Sequence, residues 1–175
     1  MDYLKIIKTN YCENISLTNE TLEECSDKIK EASLIIANAL SKGNTIFWCG
    51  NGGSASDSNH LSTEFLGRFN KDRKSLSSIS LSADSTLITC ISNDFGFENI
   101  FSRQLEGIGK KDDVLITIST SGKSKNIINS LKEAKKKKIK TIALLGKTGG
   151  ESLYLADLPI LIPSNNTARI QEQHI

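Results

Sequence analysis

The sequence predicts an α/β protein built on a parallel sheet of five strands, with helices covering both faces of the sheet. Short, continuous apolar runs alternate along the chain with longer segments whose apolar residues recur every three or four positions. This alternation is typical of parallel strands that are joined by helices. In addition, loops rich in glycine, serine and asparagine follow several of the apolar runs, as is common where such sheets bind ligands.

The first 42 residues are predicted to be helical. Apolar side chains at spacings of three and four support this, namely Leu22, Cys25, Ile29, Ala32, Ile35, Ile36 and Leu40. The pair Gly43-Asn44 then ends the helical region. We interpret residues 1–42 as N-terminal helices that form an extra layer or a subunit interface, and residues 43–175 as the α/β core of a single domain.

The first half of the core contains two predicted strands. Strand one is Thr45–Cys49, and a helix from about Ser54 to Phe69 leads to strand two, Ser77–Leu81. The elements that follow are a short helix after Asp84, a loop at residues 92–97 and a helix at residues 100–108.

The second half contains three more predicted strands. They are Asp113–Ile118, Thr141–Leu145 and Leu158–Ile162. A helix from Lys123 separates the first two, and a short helix opened by Gly149-Gly150 separates the last two. A final helix begins near Thr167 and is predicted to continue to Ile175.

The composition excludes several classes of protein. Of the 175 residues, 38% are apolar and 24% are charged, and the net charge is +2. So small a charge gives no reason to expect nucleic acid or a membrane surface as a partner, and no apolar stretch reaches the roughly 18 residues of a transmembrane helix. The N-terminus lacks a signal-peptide pattern. Because the four cysteines show no Cys-x-x-Cys spacing, we expect reduced thiols and a cytoplasmic protein.

The segment after strand one carries the most informative motif, Gly50-Asn51-Gly52-Gly53-Ser54. A glycine-rich turn between a strand and a helix can bind phosphate through its backbone N–H groups. His60 and Glu64 follow four residues apart, so they share one face of the helix. They are candidates for binding zinc, and Glu64 for acting as a general base, although two surface residues of an amphipathic helix would show the same spacing.

A second polar loop, Ser119–Ser124, follows strand three. Its four hydroxyls belong to Ser119, Thr120, Ser121 and Ser124, which is more than the capping of one helix requires. Together with the first N–H groups of the next helix, they predict a site for a phosphate monoester. The loop that contains Asn93 and Asp94 is expected at the same edge of the sheet.

Two nucleotide-binding motifs fit less well. Residues 50–55 match the Gly-x-Gly-x-x-Ala form of the dinucleotide fingerprint, but Asp84 follows by more than the roughly 20 residues expected for its acidic partner. Gly122-Lys123-Ser124 resembles the end of a P-loop, but Thr117 stands where that motif has its first glycine. We therefore do not expect a dinucleotide or a nucleoside triphosphate.

In combination, these motifs resemble those of the sugar isomerase (SIS) family. The resemblance rests on the glycine motif with His60 and Glu64, on the segments 93–97 and 118–124, and on Ala168-Arg169-Ile170-Gln171-Glu172. It covers nearly the whole chain. It implies a three-layer α/β/α sandwich with a five-stranded parallel sheet, assembled as a homotetramer. It also implies an aldose–ketose isomerase that acts on D-sedoheptulose 7-phosphate for the synthesis of bacterial heptose.

The resemblance implies roles for individual residues. Substrate would be bound by Asn51, Gly52, Gly53, Ser54, Glu64, Asn93, Asp94, Ser119, Thr120, Ser121, Ser124 and Gln171, with Asn93 and Asp94 reaching in from a neighbouring subunit. Glu64 would be the catalytic acid or base. His60, Glu64 and Gln171 would bind one zinc ion per subunit.

The resemblance also implies a fourth zinc ligand, a histidine eight residues after the matched glutamine, which falls beyond Ile175. We therefore expect a longer final helix than this sequence contains. Two other functions remain open within the family: a non-catalytic protein that binds the replication initiator, and an isomerase of a different sugar phosphate.

Overall fold

The computed structural model describes all 175 residues and begins with one long helix, α1 (Tyr3–Ser41). Asp2 caps this helix by accepting a hydrogen bond from the backbone N–H of Lys5 at 3.1 Å. The predicted helical segment 1–42 is confirmed, but as one helix rather than several, because no glycine or proline interrupts the chain before Gly43. No helix, α1 included, combines the length and apolar character needed to cross a membrane.

The rest of the chain alternates strands and helices as predicted. The elements are β1 (Ile46–Gly50), α2 (Gly53–Leu66), β2 (Ser78–Ser80), α3 (Ser85–Phe95), α4 (Ser102–Ile108), β3 (Val114–Ser119), α5 (Lys125–Lys137), β4 (Lys140–Leu145), α6 (Ser152–Leu155), β5 (Leu158–Leu161) and α7 (Thr167–His174). A single 3₁₀ turn at Phe97–Asn99 lies between α3 and α4.

The five strands form one parallel sheet in the order β2-β1-β3-β4-β5. The chain therefore moves outward from β1 in one direction to β2, and then crosses back to place β3 on the other side of β1. In this register Gly50, the last residue of β1, lies opposite Ile118 of β3. The loops that leave these two strands consequently diverge from one point, which is where open α/β sheets bind ligands.

Helices cover both faces of the sheet, which confirms the predicted three-layer α/β/α sandwich. On one face, α3, α4 and α5 pack on alternate residues of the central strands, such as Phe47 and Leu115. On the other face, α1 and α2 pack on the intervening residues, such as Trp48 and Ile116. β1 and β3 are buried along their whole length, as expected for strands that are covered on both sides.

The loop predicted at residues 92–97 is helical over its first four residues, 92–95. α3 begins after Asp84, whose carboxylate accepts a hydrogen bond from the N–H of Leu87 at 3.0 Å. It continues through Asn93 and Asp94 to Phe95 and ends at Gly96, whose φ of +86° suits glycine. The prediction was wrong here because a capped helix tolerates asparagine and aspartate in its last turn.

Candidate functional site

The candidate site lies at the carboxyl ends of β1 and β3, where two polar loops begin side by side. Residues 51–52 connect β1 to α2, and residues 120–124 connect β3 to α5. Ser82 holds the end of β1 in place, because its hydroxyl donates to the carbonyl of Gly50 at 3.0 Å and accepts from the N–H of Gly50 at 3.2 Å. The site is therefore built on the rigid centre of the sheet.

The loop after β3 has the arrangement expected of an anion site. Two of its hydroxyls brace the loop: Ser119 Oγ accepts from the N–H of Gly122 at 3.1 Å, and Ser121 Oγ accepts from the N–H of Lys123 at 3.3 Å. Ser124 stands at the N-cap of α5 but makes no side-chain capping bond. Since α5 has no acidic residue in its first turn, its N-terminus and the hydroxyl of Ser124 remain available to an anion.

A second glycine loop supports this loop from behind. Gly122 has a φ of +61°, and a Cβ built on it would lie 1.8 Å from the carbonyl oxygen of Gly149. The carbonyl of Gly122 accepts hydrogen bonds from the N–H and the hydroxyl of Ser152, at 3.1 Å and 2.9 Å. The shape of the anion loop thus depends on contacts with the connection between β4 and α6.

The loop after β1 is held by an amide pair that the sequence analysis missed. Asn51 Nδ2 donates to Asn126 Oδ1 at 2.9 Å, and Asn126 Nδ2 donates back to Asn51 Oδ1 at 2.8 Å. Asn126 is buried in the first turn of α5. An asparagine near a helix N-terminus gives no functional signal in a sequence, because asparagine favours such positions anyway. The only signal in the sequence was its position two residues after Ser124, the last residue of the polar loop.

Gln171 of α7 lies against the beginning of α2, next to the loop after β1. A Cβ built on Gly53 would lie 2.6 Å from Gln171 Nε2, so the absence of a side chain at residue 53 leaves room for the amide. Gln171 makes no hydrogen bond with His60 or Glu64. The structure therefore brings Gln171 to the beginning of α2 and leaves the other two predicted ligands further along that helix.

His60 and Glu64 form a pair on α2. His60 Nε2 and Glu64 Oε1 are 3.2 Å apart, and 57% and 34% of these side chains are exposed. Asp57, one turn earlier on α2, is half-buried; burial raises the pKa of its carboxyl, while the nearby His174 and His60 act to lower it. No group of three histidine, cysteine, aspartate or glutamate side chains is close enough to hold a metal ion.

Asn93 and Asp94 are not joined to this cluster within the chain. They lie in the last turn of α3, where Asn93 Nδ2 donates to Asp94 Oδ1 at 2.8 Å. Both are exposed, and their side chains make no hydrogen bond with the loops after β1 and β3. Their predicted role in a neighbouring subunit's site stays a prediction.

The fold and the site define a class of protein. The model of the SIS domain family matches residues 10–146, and the chain belongs to that family. Among its relatives, the phosphoheptose isomerase of a Nitratiruptor species is 48% identical over 172 residues, which are 98% of this chain and 92% of the relative.

Two solved structures are similar over nearly their full length. A phosphoheptose isomerase from Francisella tularensis is 34% identical with a TM-score of 0.96, over 99% of this chain and 93% of that one. Phosphoheptose isomerase from Neisseria gonorrhoeae is 33% identical with a TM-score of 0.93, over 99% and 92% of the two chains.

Proposed function

We propose that this protein is a phosphoheptose isomerase, which interconverts D-sedoheptulose 7-phosphate and D-glycero-D-manno-heptose 7-phosphate. The observation that carries the proposal is the junction of β1 and β3, where an anion loop adjoins the loop that opens α2, the helix bearing Glu64. The similar proteins named above, which carry the name phosphoheptose isomerase, support the same reaction. They favour an enzyme over a non-catalytic binder of the replication initiator.

The anion loop suits the end of the substrate that does not react. Ser119, Thr120, Ser121 and Ser124 would surround the phosphate together with the N-terminus of α5. Binding the remote phosphate orients the sugar chain, so that binding energy is used to bring the reacting carbons to the catalytic group. Asn51 and the N–H groups of Gly52 and Gly53 would contact the sugar hydroxyls.

Glu64 would carry out the proton transfer. Ketose–aldose exchange moves a proton between C1 and C2 through an enediol or enediolate, and a carboxylate within hydrogen-bond reach of the carbon acid can take the proton and return it. Glu64 is partly exposed on the same helix that begins at the glycine loop. Its carboxylate is therefore accessible from solvent, and the sugar chain of a substrate held by the loop would have to extend along α2 to reach it.

We also propose that His60, Glu64 and Gln171 bind one zinc ion per subunit, for which the Gln171 amide would have to turn from Gly53 toward the other two ligands. Two ligands of a tetrahedral zinc ion lie about 3.3 Å apart, and the separation of 3.2 Å between His60 Nε2 and Glu64 Oε1 fits two such positions. The bound ion would polarise the substrate oxygens beside the reacting carbons. Metal analysis of the purified protein tests the site, and His60→Ala should lower its zinc content.

The assembly is proposed to be a homotetramer that works in the cytoplasm, supplying heptose for lipopolysaccharide core or capsule. A row of large apolar side chains along α1 supports a subunit interface; it includes Leu4, Ile7, Tyr11, Ile15, Leu22 and Ile29, all of which are exposed in the single chain. Light scattering of the protein in solution would give the number of subunits.

The decisive experiment is an isomerisation assay with sedoheptulose 7-phosphate and added zinc. We expect an aldose heptose phosphate to appear. A folded, zinc-supplied protein that forms no aldose product would contradict the proposed reaction. Parallel assays with shorter ketose phosphates would detect an isomerase of another sugar phosphate.

A further inference from the structure

Arg73 lies outside every motif, in the irregular segment between α2 and β2, yet its guanidinium reaches back to the end of α2. Nη2 donates to the backbone carbonyl of Glu64 at 2.5 Å, and Nη1 donates to the carbonyl of Phe65 at 2.8 Å. Nη1 also lies 3.4 Å from the carbonyl of Gly67 and 3.1 Å from that of Lys74. One side chain therefore donates hydrogen bonds to carbonyls in the last turn of α2 and in the loop that follows it.

The last turn of a helix needs such partners, because its final carbonyls have no N–H donor within the helix. In α2, the carbonyl of Thr63 is satisfied by the N–H of Gly67 at 2.8 Å, and that of Phe65 also accepts from the N–H of Leu76 at 3.1 Å. The carbonyl of Glu64 accepts a hydrogen bond only from Arg73. A positive charge at this end also interacts favourably with the helix dipole.

Phe65 in this turn packs on the core, with its ring 5.7 Å from that of Trp48, but the backbone carbonyl of Glu64 has no partner besides Arg73. Gly67 ends α2, the segment from residue 68 to residue 75 is exposed, and β2 is only three residues long. Local stability is low where few buried contacts hold a segment. Loss of Arg73 would leave the carbonyl of Glu64 without a protein partner at the end of the helix.

We propose that Arg73 is a positioning residue for Glu64: its forked guanidinium clamps the carbonyls of Glu64 and Phe65 and so fixes the helical turn that presents the Glu64 carboxylate. This inference rests on the proposed function of Glu64. Arg73 has no contact with the anion loop, which is built on β3 and α5. The clamp therefore acts on proton transfer and leaves phosphate binding unchanged.

Two substitutions separate the parts of this clamp. Arg73→Gln removes the charge and the fork together. Arg73→Lys keeps the charge, but its single nitrogen lacks the fixed fork geometry of arginine. Lys71→Gln is the matched control, because Lys71 lies in the same exposed segment and its side chain takes part in no hydrogen bond or ion pair.

Steady-state kinetics with sedoheptulose 7-phosphate supply the first measurement. We expect Arg73→Gln to lower kcat about tenfold or more while KM stays within about twofold, since small displacements of a catalytic group cost rate rather than remote binding. Arg73→Lys should fall between the parent and Arg73→Gln. A kcat for Arg73→Gln equal to that of Lys71→Gln would overturn the proposal, and full activity in Arg73→Lys would overturn the role of the fork.

Hydrogen exchange supplies a second measurement that does not depend on activity. In Arg73→Gln, the amides of Gly67 and Leu76 should exchange faster, whereas exchange in β3 and α5 should not change. Faster exchange throughout the protein would show a general loss of stability and would contradict a local clamp. If the parent protein does not act on sedoheptulose 7-phosphate, the proposed function fails, and unchanged exchange at Gly67 and Leu76 would separately overturn the clamp.

Discussion

Asn51 and Asn126 join the two loops of the candidate site through reciprocal amide hydrogen bonds of 2.9 Å and 2.8 Å. Asn126 Oδ1 also accepts from the N–H of Ile127 at 2.9 Å. The glycine loop after β1 and the first turn of α5 therefore behave as one unit. A substitution at Asn126 on α5 should consequently alter the conformation of the loop after β1.

Replacing Asn126 with aspartate should weaken substrate binding. Asn126→Asp still accepts from Ile127 but cannot donate to Asn51, and it places a negative charge beside a loop that would bind phosphate. We expect KM to rise about tenfold, from the loss of a buried hydrogen bond and from repulsion. Steady-state kinetics measure this. Asn129→Asp, on the same helix but bonded to the carbonyl of Glu98, is the control and should leave KM unchanged.

Replacing Glu64 with glutamine should abolish turnover and preserve the fold. Glutamine has nearly the same shape but cannot accept the proton, so kcat should fall about a hundredfold to ten-thousandfold. The thermal midpoint of unfolding should stay close to that of the parent. Near-normal activity in Glu64→Gln would refute its assignment as the base. Glu23→Gln, an exposed change on α1, should keep full activity.

Placing a methyl group on Gly122 should damage the anion loop. Gly122→Ala introduces a Cβ 1.8 Å from the carbonyl oxygen of Gly149 at a φ of +61°, so the two loops must separate. We expect a loss of about 3 kcal/mol or more in the free energy of unfolding, measured by urea denaturation.

A second glycine provides the matched control for this change. Gly107 lies within α4, and a Cβ built on it would meet nothing within 4 Å. Gly107→Ala should therefore stabilise the protein, by about 0.5–1 kcal/mol. Equal effects of the two substitutions would contradict the assigned role of the contact between Gly122 and Gly149.

His174 should make the stability depend on pH. It is buried on α7, where burial lowers its pKa from the usual 6.5, and the backbone carbonyl of Leu145 and the nearby Asp57 only partly oppose this. As the pH falls below about 6.5, the unfolded chain gains a proton that the native ring resists. The free energy of unfolding should therefore decrease with acidification, until the pH reaches the lower pKa of the folded state.

Variants of the two histidines distinguish the effect of His174 on stability from that of other titrating groups. Urea denaturation between about pH 7.5 and 5.5 should show the decrease in the parent, and His174→Asn should flatten it. His60→Asn, which changes the exposed histidine, should retain the slope. A slope that persists unchanged in His174→Asn would refute the role of His174.

Much of this architecture was predictable from the sequence because its signals are local. The apolar runs at β1 and β3 read as buried strands, and the polar loops after them fall at the carboxyl edge of a parallel sheet. The pattern also placed His60 and Glu64 on one helix face, and the 3.2 Å separation between them agrees with it. The helical turn containing Asn93 and Asp94 was missed, because its composition favours a loop. It is helical as the continuation of α3, which Asp84 caps at its start.

The sequence by itself therefore determined the order of the elements, the parallel sheet and the loops that form the site. The tertiary structure decided the strand order, which places β1 next to β3, and with it the pairing of Asn51 with Asn126, the contact of Gly122 with Gly149 and the reach of Arg73 to Glu64. Periodicity reports which face of an element is buried, whereas these contacts join residues far apart in the chain or lie in irregular segments. Their partners are selected only when the layers pack together, so no local pattern encodes them.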